Sequence, residues 1–141
     1  RREARLNYTG GLVGVSSCAR TAMKVHSWDQ SEREVLGPLI VRRVIHSGRM
    51  TTALFDLKKG AVVPRHHHDN EQMSHVLTGK ALYQFDDREF KAGPGEVVEI
   101  KSNEPHRVEA LEDSSIMDVF QPVRADWLAG GDAYLRTPSE E

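Results

Sequence analysis

The sequence predicts an all-β protein, an antiparallel barrel or sandwich of short strands. Three observations carry that expectation. Segments rich in Val, Ile, Leu, Phe and Thr recur at short intervals. Gly, Pro, Asn and Asp bound them and supply turn chemistry. No long stretch has the apolar spacing of an amphipathic helix.

The chain opens on residues 1–22, which are Gly- and Ser-rich with weak periodicity and no initial Met. They read as an N-terminal extension, loosely ordered or packed as an arm on a neighbour. A single domain is expected over 23–141. Strands are expected at 39–46, 50–57 and 61–67. More follow at 72–78, 80–85, 88–91, 96–100, 106–111 and 115–121. Asp86-Asp87 joins 80–85 to 88–91 as a hairpin turn, and Lys58-Lys59-Gly60, Gly79 and Gly93-Pro94-Gly95 are turn punctuation. From Arg124 to Leu135 the spacing is helical only briefly, so a short C-terminal helix or turn on the outside is expected.

Composition narrows the function. The net charge is −2, with acidic and basic residues mixed and no Lys/Arg block, which disfavours nucleic acid as a partner. The single cysteine, Cys18, permits no intrachain disulfide and suits a reducing cytoplasm. No apolar run approaches a membrane span, so no membrane partner is expected.

The stretch from Gly60 to Gly79 carries the chemistry. On an extended chain His66 and His68 share a face and His67 points away. Two imidazoles so placed can reach one divalent ion. Gln72 keeps the even parity, with Glu71 beside it as an alternative donor, and His106 is a distant fourth candidate. His75 has odd parity and is expected to face outward, while His26 and His46 carry no ligand pattern.

The spacing Gly60, five residues, His66, one, His68, three, Gln72, six, Gly79 resembles the first motif of the cupins. The segment Gly93-Pro-Gly95 through Glu104-Pro105-His106 resembles the second, with Lys101 to Asn103 replacing the usual Pro-x-Gly. The resemblance spans about residues 38 to 123. It implies a double-stranded β-helix, or jelly-roll barrel, and a homodimer. It implies a metal held by His66, His68, Gln72 and His106, with Gln72 standing where the family usually has Glu. Imidazoles and a neutral amide leave the ion's charge uncompensated, which favours an anionic small-molecule ligand and Lewis-acid chemistry. Mn, Fe, Ni, Zn and Co all suit such donors.

Along 115–121, Ile116, Asp118 and Phe120 share one face and Met117 and Val119 the other. Asp118 is therefore a carboxylate in apolar company. Either it pairs with an arginine or faces solvent on an edge strand, or it is a general acid/base tuned by burial. The segment from Asp118 through Pro122, Arg124 and Trp127 to Leu128 resembles the end of the uronate-linearising cupins called KdgF. That likeness implies catalytic roles for Asp118 and Phe120, although Phe120 also reads as core packing. It implies that Arg124, Arg49 or Arg42 neutralises a substrate carboxylate. Three functions stay open: such a sugar-acid enzyme, another cupin dioxygenase or isomerase, or a non-catalytic ligand-binding cupin.

Overall fold

The computed structural model describes residues 23–136. The expected extension over 1–22 and the last residues, 137–141, lie outside the described residues. A 3-10 turn at Trp28–Gln30 precedes the strands. The strands are β1 Glu34–Gly37, β2 Ile40–His46, β3 Thr51–Leu57, β4 Val62–His66 and β5 Glu71–Thr78. Next come β6 Ala81–Phe85, β7 Glu89–Ala92, β8 Val97–Ile100, β9 His106–Ala110 and β10 Ser114–Gln121. Two four-residue helices follow, α1 Ala125–Leu128 and α2 Ala133–Arg136.

All pairings are antiparallel. One six-stranded sheet runs β1-β2-β3-β10-β5-β8 and one four-stranded sheet runs β4-β9-β6-β7. The chain repeatedly crosses between the sheets, as a jelly roll requires, so the all-β cupin fold expected from the sequence is the one formed. Alternation explains the layers. In β10, Ser114, Ile116, Asp118 and Phe120 are buried while Ser115, Met117 and Val119 are only half-buried. In β3, Thr51, Ala53, Phe55 and Leu57 point inward in the same way. The core lies between the sheets, with Phe55, Ile116 and Phe120 on one side and Tyr83, Phe85 and Val108 on the other. At about 2 kcal/mol for each large apolar side chain buried, this interior is the main source of stability.

Two departures from expectation position the site. β1 is not visible in the sequence because it is short and buries only Leu36. Pairing with β2 and the Arg42–Glu34 ion pair hold it in place. The second departure is the tail, which does not lie outside. Trp127 and Leu135 are buried, and the Trp127 ring stands edge-on to Phe55 at 6.2 Å and to Phe120 at 5.2 Å. The tail packs into the barrel because these apolar side chains find the open end of the inter-sheet core.

Candidate metal centre and its cavity

Both sheets and one loop supply the centre. His66 ends β4 and is the direct cross-strand partner of His106, which opens β9. Antiparallel pairing puts both rings on the same side. His68 follows in the β4–β5 loop and is buried, whereas His67 is exposed. The ring centroids lie 4.3 Å apart for His66 and His106, 5.1 Å for His68 and His106, and 5.5 Å for His66 and His68. One nitrogen from each of the three rings lies within 4.8 Å of the others, so the cluster is positioned for a divalent metal.

Hydrogen bonding fixes which nitrogen is offered. Each Nδ1–H donates to a backbone carbonyl: His66 to Pro64 at 2.8 Å, His68 to Asn70 at 3.0 Å and His106 to Glu104 at 2.7 Å. Every Nε2 is left with its lone pair, and the rings are held by the arrangement that metal-binding histidines use. Burial, reinforced by neighbouring His106, lowers the His66 pKa to about 3. Burial and the Arg124 charge lower His68 to about 4, and burial lowers His106 as well. The imidazoles are therefore neutral near pH 7, as metal binding requires.

Gln72, the second residue of β5, has its side chain buried, and the alternation turns Glu71 out to solvent. The Gln72 Oε1 lies 3.0 Å from His68 Nε2. With the His68 proton on Nδ1, two acceptor lone pairs face each other there. A cation between them satisfies both, so the donor set fits a metal ion.

Beside this cluster is a mostly apolar cavity of about 40 Å³. His66, Gln72, His106, Ser74, Tyr83, Asp118, Phe120 and Arg124 line it from the barrel. Trp127, Tyr134 and Leu135 line it from the tail. Asp118 does not face solvent from an edge strand. It sits on β10 between β3 and β5, buried, with Oδ1 lacking any hydrogen-bond partner. Burial raises its pKa to about 6, against the lowering effect of Ser74, Gln72 and Arg124. The Ser74 hydroxyl is 2.6 Å from the Tyr83 hydroxyl on the facing sheet.

The proposed arginines divide. Arg124 lines the cavity and is fully buried, stacked over Phe120 at 4.7 Å and Trp127 at 4.1 Å. Its fork is largely engaged: Nε and Nη2 donate to Asp126 at 2.9 and 2.8 Å. Arg42 is buried but does not line the cavity, because Glu34 and Asp132 hold it against Trp127. Arg49 is exposed in the tight β2–β3 turn closed by the Ser47–Met50 backbone bond, and it does not line the cavity. His75 is half-buried on the outer side of β5, and His46 bonds Thr51 at 2.7 Å. His26 is exposed. Sequence reading missed Ser74, Tyr83 and Tyr134. The even parity of Ser74 with Gln72 was a usable signal, but nothing local marks Tyr134, which arrives through the tail.

Fold and site together define a jelly-roll barrel with a three-histidine centre, the architecture of a metal-binding cupin. Residues 53–120 match the family described as the cupin domain. KdgF from a Halomonas species is similar in structure, with a TM-score of 0.66 and 25% identity, covering 70% of this chain and 94% of that one. A RmlC-like cupin from Shewanella frigidimarina gives a TM-score of 0.69 at 20% identity, covering 75% of this chain and 96% of that one. Bacillus subtilis oxalate decarboxylase, known for Mn(II) centres, gives a TM-score of 0.63 at 21% identity, covering 69% of this chain and 29% of that one. No curated protein matches the sequence. No helix among the described residues is long and apolar enough to cross a membrane.

Proposed function

We propose that this protein is a metal-dependent enzyme acting on a small anionic sugar acid, opening 4,5-unsaturated uronates toward their linear keto form. The observation that carries the reading is the sharing of one cavity by the His66, Gln72 and His106 donors with Asp118 and Phe120. The likeness to KdgF supports it, since it extends over 94% of that chain. A divalent ion held by His66, His68, Gln72 and His106 would supply a Lewis acid. A neutral donor set leaves that ion attractive to a carboxylate. Asp118, with an unengaged oxygen, moves the proton as the enol ether opens. Phe120 shapes the pocket, and Arg124 biases it toward anions. We further propose a cytoplasmic homodimer.

The test is incubation of metal-loaded protein with an unsaturated galacturonate while following the enol-ether absorbance. No rate gain over buffer across Mn, Fe, Ni, Zn and Co ends the reading. A second reading, a different metal-dependent cupin enzyme acting on a smaller anion, is favoured by the cavity volume. About 40 Å³ holds roughly three waters, far less than a sugar ring. Oxygen consumption or turnover with small diacids and diketones separates the two.

A further inference from the structure

We infer that Tyr134 donates a hydrogen bond to an oxygen of the ligand taken at the metal centre, which makes the C-terminal helix part of ligand recognition. The inference rests on the metal-centred reading above but is tested separately from it. Tyr134 stands on α2 with its ring 4.7 Å from the His66 ring, inclined by 32°, and it lines the cavity that His66, His106 and Asp118 share.

Its hydroxyl is unusually constrained. Arg124 Nη2 donates to Tyr134 Oη at 3.0 Å, and Trp127 Nε1 donates to the same oxygen at 3.1 Å. Neither donor can accept, so the phenol oxygen uses both acceptor positions on them. Its own proton has to point elsewhere. Among the described residues no acceptor receives it. The guanidinium donor also draws electron density from the oxygen, which strengthens the remaining O–H as a donor.

The helix is held firmly enough for this to be a fixed feature. Asp132, one residue before α2, accepts from buried Arg42 at 2.7 Å and from Arg136 at 3.1 Å. Leu135 on the same helix is buried. In the same cavity Asp118 Oδ1 is an acceptor without a donor. The cavity thus presents one free donor from the tail and one free acceptor from β10. That pairing suits a ligand with an anionic oxygen and a hydroxyl, the chemistry of a hydroxy carboxylic acid.

Glycolate, the simplest such acid, serves as the probe. Cobalt-loaded wild type and Tyr134→Phe are titrated with glycolate and followed by calorimetry and the visible cobalt spectrum. Tyr134→Phe should bind glycolate about tenfold more weakly, with cobalt affinity unchanged. Site-specific 3-fluorotyrosine at 134 keeps the shape and makes the hydroxyl a stronger donor, so it should tighten glycolate binding. A merely structural Tyr134 predicts no tightening. Failure of the wild type to take up cobalt sinks the metal reading itself. Cobalt uptake without glycolate binding, equal affinity in Tyr134→Phe, or no gain from the fluorinated residue overturns the Tyr134 assignment alone.

Discussion

Gln72 sets the charge of the centre. Its neutral amide stands where a carboxylate would give the ion a stronger donor and remove its appetite for anions. Gln72→Glu should therefore hold the metal roughly tenfold tighter or more in chelator competition. The same variant should bind an anionic ligand more weakly. If metal affinity does not rise, Gln72 is not among the donors. Asp118 makes the complementary case. Burial of its carboxylate outweighs the hydrogen bonds from Ser74 and Gln72, and its Oδ1 makes none, so the ionised side chain adds little to stability. Asp118→Asn should leave the melting temperature unchanged or raise it. The same change should lower turnover of an unsaturated uronate by about 10²-fold or more, the typical contribution of a positioned acid or base. A variant that melts much earlier than wild type would mark Asp118 as a structural residue.

At the scale of elements, β-turns and the tail helices decide whether the centre assembles. Gly79 adopts φ +84°, and a Cβ there would run into Ser114 Oγ and the Asp113 carbonyl. Gly95 has nearly the same φ, +85°, but open space around it. Gly95→Ala should cost about 1–2 kcal/mol from backbone strain alone. Gly79→Ala should cost several times that, read as the shift in urea midpoint. The α2 anchor has a pH signature. Burial by itself would raise the Asp132 carboxyl, but hydrogen bonds from Arg136 and Arg42 outweigh it and hold the pKa below the usual carboxylate value. A depressed folded pKa gives stability that is present above the unfolded value of about 3.9 and lost as pH falls through the folded one. Asp132→Asn should lose about 2 kcal/mol at pH 7, because buried Arg42 keeps only Glu34. Its melting temperature should then fall less steeply than that of wild type below about pH 4. These elements were unequally legible. The strands carrying His66, Gln72, His106 and Asp118 follow from period-two alternation and from glycines at turns, both local signals. The convergence of His66 with His106 needed the motif resemblance, because forty residues of chain separate them. β1 and the plugging tail were not legible, since tertiary burial rather than local pattern places Trp127 and Leu135.

The whole molecule leaves one face of the barrel unaccounted for. The outer side of the six-stranded sheet carries the outward-pointing residues of its central strands. Leu54, Met117 and Val119 lie half-buried across β3 and β10, and more exposed Met73, Leu77 and Val97 continue onto β5 and β8. Register sets Leu54 beside Met117, and Met117 beside His75, which is paired with Val97, so these side chains form a row across the sheet. An apolar row of this kind on a sheet face is a surface that water covers poorly. The centre and cavity open inside the barrel, so this face has no part in ligand binding as proposed. A second copy, packed sheet to sheet around a twofold axis, would bury it isologously. Light scattering behind gel filtration should return a dimer mass at micromolar concentration. Met117→Glu places a charge at the middle of the row on a residue that touches neither core nor cavity. That change should yield monomers with the metal content and fold of the wild type, because burying an unpaired carboxylate against its own symmetry mate is costly. A wild type that elutes as a monomer at all concentrations, or a Met117→Glu variant that stays dimeric, would remove the sheet face as the contact.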